Sequence, residues 1–292
     1  MILQAFSAAL KMIKRAYWIA SYPKSGNTWI RLILRHISSG GNFSLNHGDE
    51  SALASSRKII DPAVGLPTVH LSPDDQENLR PKAYRFIARE RIGKTILKAH
   101  DAYDRTAGGE WLFPPDITAG AVYLVRNPLD IAVSWAFHAD ISIDEAVDFL
   151  CDDRSMIADP HKRATPIMRQ ILRSWSTHVT SWQAAPIPKL CLRYEDIVSD
   201  PITHFARIAH FLQFTASPDA LRNAVAACRF DRLQELESDS GFGERVSART
   251  PFFRNGRPGD WHNHLKSRHI NKIISCHGDI MKKLDYKLPA GY

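Results

Sequence analysis

The sequence predicts a single α/β domain in which a parallel β-sheet is flanked by helices. Short apolar segments typical of buried strands alternate with helical patterns along the chain. Polar residues that bind anions or move protons follow directly after several of these strand segments. The chain has 292 residues, of which 44% are hydrophobic, and this is enough for one large core. No repeat or low-complexity linker divides residues 1–292, so we expect one domain.

Residues 1–15 predict a short amphipathic helix that packs on the domain as an N-terminal extension. Their apolar residues have helical spacing, and the basic residues Lys11, Lys14 and Arg15 follow the apolar part. This order argues against a secretory signal peptide, in which basic residues come first. A surface anchor is the alternative, so weak peripheral membrane contact stays open. No apolar run approaches the roughly 18 residues that span a bilayer, and we expect a cytoplasmic protein.

Residues 17–37 predict a strand, a tight loop and the start of a helix. An apolar run ends in Pro-Lys-Ser-Gly-Asn-Thr, and apolar residues at helical spacing follow at once. Backbone N–H groups and the helix dipole favour an anion at such a helix start, and Lys24 adds a cation. The alternative is an ordinary turn with Ser25 as helix N-cap. The loop differs from the nucleotide-binding G-x-x-x-x-G-K-[ST] motif because Lys24 precedes the single glycine.

The remaining elements follow in chain order, and each is predicted from local pattern. Residues 40–81 are polar and predict excursions with short helices that form a substrate wall. Strands are predicted over 95–99, 121–125 and 189–193. Helices are predicted over 82–90, from Pro128, over 167–183, after Asp200, after Ser217, and over 266–284. Residues 238–263 contain four glycines and predict a mobile loop.

Polar side chains follow the predicted strand ends and should meet in one crevice. In parallel sheets, ligands bind outside the carboxyl ends of the strands. We therefore expect the loop at 22–28, His100, Arg126 and Tyr194 to lie together. Arg126 and Ser134, on the following helix, suit a second phosphate, because arginine offers a planar fork of donors. The alternative for Arg126 is an ion pair with Asp130.

Composition restricts the partners without choosing one. The chain has 38 Lys and Arg against 31 Asp and Glu, a formal net charge of +7. This charge suits nucleic acid, an acidic membrane surface or a small polyanion, but the basic residues are dispersed, which argues against nucleic acid. The four cysteines are far apart and predict buried thiols in a reducing compartment. His262 and His264 lack partners at metal-ligand spacing, so no metal is expected.

Three segments resemble the signatures of the sulfotransferases that use 3′-phosphoadenosine 5′-phosphosulfate (PAPS). They are Tyr-Pro-Lys-Ser-Gly-Asn-Thr-Trp at 22–29, Arg-Asn-Pro with a later Ser at 126–134, and Phe-Arg-Asn-Gly-Arg-Pro-Gly-Asp-Trp at 253–261. Their order matches the family, and the resemblance extends over residues 17–261. The resemblance implies a cytosolic-type sulfotransferase domain with a P-loop-like strand–loop–helix, and we expect a bacterial member.

The resemblance also assigns roles to residues. It places the 5′-phosphosulfate of the donor on Lys24, Ser25, Gly26, Asn27 and Thr28, and the 3′-phosphate on Arg126, Ser134, Arg254, Asn255 and Gly256. It places Trp29, Tyr194 and Phe230 beside the adenine. It makes His100 the catalytic base, with Lys24 stabilising the leaving phosphate oxygen and Lys98 assisting at the sulfonyl oxygens. The chain departs from the family pattern at Asn27 and Ala99 (usually Thr) and at Asn255 and His262 (usually Lys).

The implied activity is that of a PAPS-dependent sulfotransferase (EC 2.8.2 class). Such an enzyme moves the sulfonate of PAPS to a hydroxyl of a small alcohol, phenol, lipid or glycan and releases adenosine 3′,5′-bisphosphate (PAP), without a metal. One alternative is a nucleoside triphosphate-dependent, kinase-like phosphotransferase, although its Gly-Lys-Ser/Thr loop is missing from the sequence. The other is a polyanion-binding module that uses the net charge. The pattern leaves the acceptor and the oligomeric state open.

Overall fold

A four-stranded parallel sheet forms the centre of the protein. The computed structural model describes residues 16–46, 53–91, 93–158, 166–247 and 249–289, so the helix predicted over 1–15 lies outside the described residues. The strands β1 (Ala16–Ser21), β2 (Thr95–Ala99), β3 (Thr118–Val125) and β6 (Lys189–Arg193) lie in the order β2-β1-β3-β6. Two short strands, β4 (Met156–Ile157) and β5 (Gln170–Ile171), form a separate antiparallel pair. The predicted parallel sheet is confirmed.

Helices connect the strands and lie along the rest of the described chain. They are α1 (Asn27–Ser38), α2 (Arg57–Val64), α3 (Pro73–Glu90), α4 (Pro128–Ala139), α5 (Ile143–Cys151), α6 (Trp175–Ala184), α7 (Tyr194–Ser199), α8 (Pro201–Phe211), α9 (Pro218–Ala227), α10 (Phe230–Ser240) and α11 (Ser267–Lys283). Short 3-10 turns occur at Thr68–His70 and Asp260–Asn263. Across the described ranges, every helix is too short or too polar to cross a bilayer.

Capping residues start several helices where the sequence predicts them. The side chains of Asn127, Asp200 and Ser217 accept hydrogen bonds from backbone N–H groups in the first turns of α4, α8 and α9. A proline follows each cap, where its missing N–H costs no helical hydrogen bond. The helix starts predicted at these three positions are therefore confirmed.

The helix predicted over 167–183 is wrong in its first half. Residues 170–171 form β5, which pairs with Met156 and Ile157 of β4, and α6 begins only at Trp175. Burial alternates from residue 168 to residue 174, which is the period of an extended segment. Arg173 has a φ of +64°, and the Ser174 hydroxyl caps α6, so the helix cannot extend backwards. The apolar residues of this extended segment have a spacing that also fits a helical face, which explains the incorrect helix prediction.

The prediction of four buried cysteines is also wrong. Cys228 is buried and Cys151 partly buried, but Cys191 and Cys276 are exposed, and all four are free thiols. Cys191 lies on β6, which is an edge strand of the sheet, so part of its surface faces solvent.

Side chains of the central strand alternate between two hydrophobic clusters, one on each face of the sheet. Trp18 belongs to one cluster with Tyr123 and Trp182, and Ile19 belongs to the other with Val122. Sheets covered on both faces bury their central strands completely, as the burial of every residue of β1 shows. Both faces of the sheet are therefore packed, and the ends of its strands are held by the core.

A buried ion pair joins α3 to the loop that follows β2. Arg80 donates from Nη2 to Asp101 Oδ2 at 2.6 Å and from Nη1 to Oδ1 at 2.9 Å. The two side chains are 1% and 2% exposed. The backbone carbonyl of Asp101 also accepts from Trp182 Nε1 at 3.0 Å. Because Asp101 follows His100 directly, these bonds fix the chain on one side of the predicted base.

We expect Arg80→Met to lower the free energy of unfolding by about 3–5 kcal/mol, because it leaves the Asp101 carboxylate buried and unpaired. Urea denaturation followed by circular dichroism measures this loss. The control is Arg85→Met on the same helix, where the arginine pairs with the partly exposed Glu110 and Asp116. Such pairs contribute at most about 1 kcal/mol. Equal losses in both variants would contradict a special role for the buried pair.

Candidate active site at the carboxyl edge of the sheet

The carboxyl ends of the four parallel strands open into one cavity of about 1370 Å³. Lys24 follows β1, His100 follows β2, Arg126 follows β3 and Tyr194 follows β6, and all four residues line this cavity. The structure thus brings together the residues that the sequence places after different strands. This is the edge where open α/β sheets bind their ligands.

The loop between β1 and α1 has the geometry of an anion cradle. Gly26 has a φ of +98°, and a Cβ at this position would lie 2.7 Å from Tyr194 Cδ2. Only glycine fits both constraints. The residue that precedes α1 is Gly26, and α1 has no side-chain cap among the described residues, so the alternative of Ser25 as N-cap is wrong. The Ser25 hydroxyl is instead buried without a hydrogen-bond partner in the described parts of the chain.

Lys24 lies in this loop with a perturbed amine. Its backbone has a φ of +68°, and its Nζ lies 4.1 Å from the centroid of the Phe252 ring. Burial, together with the nearby charges of Arg126 and Lys98, lowers the pKa of Lys24 to about 7. The amine is therefore only partly charged at neutral pH, and an anion bound beside it would raise this pKa.

His100 has a hydrogen-bond arrangement that fixes its tautomer. Its Nδ1 lies 2.8 Å from the backbone carbonyl of Ser21, and a carbonyl only accepts, so Nδ1 carries the proton. Nε2 is then left as an acceptor. Burial, and after it the charge of Lys98, lowers the pKa of His100 well below its ordinary value. The imidazole is neutral at physiological pH and able to receive a proton at Nε2.

A second buried histidine holds the backbone of His100. His178 Nε2 donates to the His100 carbonyl at 3.0 Å, and the Tyr123 hydroxyl lies 2.9 Å from His178 Nδ1. Burial lowers the pKa of His178 to about 4, so this ring is neutral as well. Because the His178 Nε2 proton is committed to the carbonyl, its Nδ1 accepts from Tyr123.

Asn27 connects the loop to the sheet by hydrogen bonds. It stands where the family that the sequence resembles commonly has threonine. Its Nδ2 donates to the Ile19 carbonyl at 2.8 Å and to the Ser21 hydroxyl at 3.3 Å. The side chain is thus directed towards β1, and its Oδ1 is buried without a partner in the described chain. Asn27 therefore positions the loop relative to Ser21, the residue that holds His100.

Arg126 faces the cavity beside Tyr194. Its Nη1 donates to the Lys24 carbonyl at 3.0 Å, and its guanidinium lies 4.5 Å from the centroid of the Tyr194 ring. Its Nε is buried and lacks a partner within the described residues. The alternative ion pair with Asp130 is wrong, because the Asp130 carboxylate accepts from the backbone N–H groups of Gly259 and Trp261 instead.

Three acidic residues that sequence reasoning missed anchor the loops around the cavity, each through two hydrogen bonds. They are Asp130, which binds the backbone at 259 and 261, Glu195, which binds the backbone at 127 and the hydroxyl at 286, and Glu237, which binds the backbone at 252 and 253. Asp130 and Glu237 are almost completely buried. The only local signal is their position beside predicted site residues, since some partners lie more than 100 residues away in sequence.

Aromatic rings form one wall of the cavity. Trp29 donates from Nε1 to the Cys228 carbonyl at 2.9 Å, and the Tyr194 hydroxyl donates to the Gly256 carbonyl at 2.5 Å. Gly256 has a φ of +69°, and a Cβ there would lie 2.2 Å from Phe230 Cδ2. Tyr194 thus contacts the loop after β1 and also the late glycine-containing loop, so the two loops share one support.

The other predicted residues also border the cavity. Arg254 forms an ion pair with Asp260, and its guanidinium lies 4.3 Å from the centroid of the Phe137 ring. Gly26, Asn27, Thr28, Trp29, Lys98, Ser134, Phe230, Arg254, Asn255 and Gly256 are lining residues. Of the predicted set, Ser25 is not a lining residue, and its side chain is fully buried.

Glu244 is the most unexpected group in the cavity. Its carboxylate accepts hydrogen bonds from Thr28 Oγ1 at 3.1 Å, Lys98 Nζ at 3.1 Å and Arg31 Nη2 at 2.6 Å. Burial alone would raise the pKa of Glu244, but Lys98 and Arg31 hold it well below the usual carboxyl range. Nothing local in the sequence indicates these contacts, which join residues at least 146 positions apart.

The arrangement suits a multiply charged anion beside a neutral base. Arg126 lines the cavity, and its Nε lacks a partner in the described chain; a bound anion satisfies such a donor. Lys24 and the neutral His100 also line the cavity. Chemically, it can bind an anionic group-transfer donor and deprotonate a hydroxyl. In the described ranges, no cluster of His, Cys, Asp and Glu has the arrangement of a metal site.

Comparison with known proteins gives consistent matches over most of the chain. The family described as "Sulfotransferase domain" matches residues 14–285. Cytosolic sulfotransferase 16 of Arabidopsis thaliana is 31% identical over 273 residues, covering 85% of this chain and 71% of the relative. Flavonol 3-sulfotransferase of Flaveria bidentis is 26% identical over 293 residues, covering 94% of this chain and 81% of the relative.

Two solved structures share the fold. A mouse sulfotransferase complexed with PAP has a TM-score of 0.58 at 18% identity and covers 95% of this chain and 88% of its own. Retinol dehydratase, in a complex with androsterone and inactive cofactor PAP, has a TM-score of 0.59 at 20% identity. The match covers 96% of this chain and 84% of retinol dehydratase.

We expect Gly256→Ala to lower the free energy of unfolding by about 2–3 kcal/mol, because the new Cβ meets the Phe230 ring in a strained backbone conformation. Thermal unfolding measures this loss. The matched control is Gly109→Ala, where φ is +83° but no atom lies within 4 Å of the added Cβ. This variant should lose only about 1 kcal/mol, from backbone strain. If both variants lose the same stability, the close packing of Phe230 on Gly256 contributes nothing.

Proposed function

This chain belongs to the sulfotransferase domain family, and we propose that it transfers the sulfonate group of PAPS to an acceptor hydroxyl, with His100 as the base and PAP as the product. The observation that carries this proposal is the neutral His100, fixed with Nε2 as acceptor, in the same cavity as Lys24 and Lys98. The PAP bound in the two structural neighbours supports the same nucleotide here.

The donor fits the two groups of anion-binding residues in the cavity. The loop after β1, with Lys24 and the backbone N–H groups of residues 25–28, would hold the 5′-phosphosulfate at the start of α1. Arg126, whose Nε is buried without a partner in the described chain, would hold the 3′-phosphate together with Ser134. The rings of Trp29, Tyr194 and Phe230 would contact the adenine. Arg254, Asn255 and Gly256 would complete the 3′-phosphate site.

The chemical step is an in-line displacement at sulfur. His100 Nε2 accepts the proton of the acceptor hydroxyl as that oxygen forms a bond to sulfur. The bond between sulfur and the 5′-phosphate oxygen breaks, and its electron pair stays on the phosphate. Lys24 would stabilise the negative charge that develops on this oxygen, and Lys98 would stabilise the sulfonyl oxygens.

Family membership favours this reaction over the two alternatives from the sequence. A kinase-like phosphotransferase needs the Gly-Lys-Ser/Thr loop, which the Tyr22–Thr28 loop does not contain. A polyanion-binding module needs a continuous basic surface, whereas Lys24, Lys98 and Arg126 line a concave cavity.

We also propose a cytoplasmic location, which the cytosolic relatives support. We propose one domain over 1–292, with a helix or extension at 1–15 and a mobile glycine-containing loop at 238–263. Weak peripheral membrane contact through residues 1–15 is the alternative to a helix packed on the domain. The acceptor carries a hydroxyl. A screen of alcohols, phenols, lipids and glycans with labelled PAPS would identify it. Bacterial origin remains a prediction from the sequence.

We expect His100→Ala to lower kcat about 10²–10⁴-fold, the usual contribution of a general base. PAP affinity should stay within about twofold of the wild type, because a base acts on the transition state and not on the bound nucleotide. A transfer assay with labelled PAPS and calorimetric titration with PAP measure the two effects. The control is His210→Ala at an exposed position on α8. Full turnover in His100→Ala would refute the assignment of the base.

We expect PAP affinity to fall as the pH rises above about 7, because Lys24 has a pKa of about 7 in the free protein. Bound phosphates raise this pKa, so the contribution of Lys24 is complete below pH 7 and is lost as the pH rises through the pKa of the complex. The expected decrease is at most about tenfold per pH unit for each such group.

Calorimetric titration between pH 7.5 and 9.5 tests this dependence, since phosphate itself is fully ionised in that range. Lys24→Met should weaken binding and make the profile shallower. Lys98 also has a lowered pKa, caused first by burial. A slope unchanged in Lys24→Met would show that Lys24 does not take up a proton on binding.

A further inference from the structure

The Glu244 carboxylate binds groups that the proposed function reserves for the donor. Thr28 Oγ1 and Lys98 Nζ each donate to Glu244 Oε2 at 3.1 Å. Thr28 lies in the loop assigned to the 5′-phosphosulfate, and Lys98 is assigned to the sulfonyl oxygens. Arg31 Nη2 donates to Oε1 at 2.6 Å, and it lies one helical turn after Thr28 on α1. The carboxylate thus makes hydrogen bonds of the kind that an oxyanion of the donor would make.

We propose that Glu244 determines donor affinity: in the ligand-free protein its carboxylate occupies the subsite of the donor's 5′ anionic group, and the donor must displace it to bind. This inference rests on the proposed function. The proposed function names residues that hold the donor, whereas Glu244 is a residue that competes with the donor.

Electrostatics requires the displacement. Two anions cannot share the Thr28 hydroxyl and the Lys98 ammonium at hydrogen-bonding distance without strong repulsion. The apparent Kd of the donor is then its intrinsic Kd divided by the fraction of molecules in which Glu244 has left the subsite. Any change that weakens the carboxylate's hold increases this fraction and tightens donor binding.

The backbone around Glu244 is held independently, so the side chain can leave while the segment stays. Asn46 Oδ1 accepts from the Gly243 N–H at 3.0 Å, and Asn46 Nδ2 donates to the Gly241 carbonyl at 2.9 Å. Phe242 packs on Phe252, with ring centroids 4.8 Å apart. These contacts do not involve the Glu244 carboxylate. Displacement therefore needs only rotation of one side chain.

Glu244 is unsuited to the alternative role of catalytic base. Its carboxylate accepts from three donors, two of them cationic, and these keep its pKa well below the usual range despite burial. Both carboxylate oxygens already accept hydrogen bonds from Thr28, Lys98 or Arg31, so neither is available to a substrate hydroxyl while these bonds last. The same contacts that make it a good substitute for the donor's anion make it a weak base.

The test compares Glu244→Gln with the wild type by calorimetric titration with PAP and with adenosine 3′-monophosphate (3′-AMP). PAP has the 5′-phosphate that competes with Glu244, whereas 3′-AMP lacks a 5′ anionic group. We expect the Kd of PAP to fall about tenfold in the variant, because the amide binds the two cations much less strongly. The Kd of 3′-AMP should change less than about twofold, since no anion enters the subsite.

Two further variants keep the test decisive. Glu235→Gln removes the same charge at a position on α10 whose side chain is 61% exposed, so it reports the effect of net charge alone. Glu244→Ala removes all hydrogen bonds of the side chain and should tighten PAP at least as much as Glu244→Gln. Thermal unfolding of each variant establishes that the titrated protein is folded.

Three results would overturn the inference. They are an unchanged Kd of PAP, weaker PAP binding in both Glu244 variants, and an equal gain for 3′-AMP and PAP. Each of them leaves the proposed function standing as long as the wild type binds PAP. If the wild type binds neither nucleotide, the proposed function fails, and the inference fails with it.

Discussion

The hydrogen bond between the Ser21 carbonyl and His100 Nδ1 is the interaction on which the site depends. It exists because β1 and β2 are parallel neighbours in a register that pairs Ala20 with Ala99. Ser21 and His100, the residues that follow this pair, therefore lie beside each other. Ser21 ends the strand that leads into the anion cradle, and His100 is the proposed base. One register therefore sets the distance between the anion cradle and the proposed base. Asn27 reaches back to the same serine and fixes the cradle to it.

Several positively charged side chains lie close together in the cavity, where burial removes part of the water that would otherwise solvate them. Lys24, Lys98 and Arg126 line it, and the pKa values of both lysines are lowered, first by burial and then by nearby cations. Such a cluster is electrostatically unfavourable until an anion arrives. The protein meets this cost in two ways: Lys24 gives up part of its charge, and Glu244 compensates the charge of Lys98. In the ligand-free protein, a carboxylate of the chain itself therefore pairs with part of this cationic cluster.

Local sequence predicted the elements whose patterns are local. The strands at 95–99 and 189–193 have the predicted bounds. Helix α4 begins at Pro128, and α8 and α9 begin after the caps Asp200 and Ser217, as predicted. The helix prediction for the segment before α6 was wrong because an alternation of period two in a short apolar stretch resembles part of a helical face. Lys24, His100, Arg126 and Tyr194 line one cavity as expected, because each follows a strand end, whereas Phe230 and residues 254–256 were assigned only by the family resemblance. Asp130, Glu237 and Glu244 were missed because their roles arise from contacts between distant parts of the chain, which no local pattern encodes.

The lowered pKa of Lys24 has a chemical consequence beyond binding. An amine that is half unprotonated at neutral pH is a nucleophile, whereas an ordinary lysine is almost entirely protonated and unreactive. In the ligand-free protein, Lys24 therefore combines a free electron pair with a position on the wall of a large cavity. Acylating or carbamylating reagents would find this amine more reactive than the solvated lysines of the surface. A bound anion would restore its proton and remove that reactivity, so the same loop is chemically vulnerable when empty and inert when occupied.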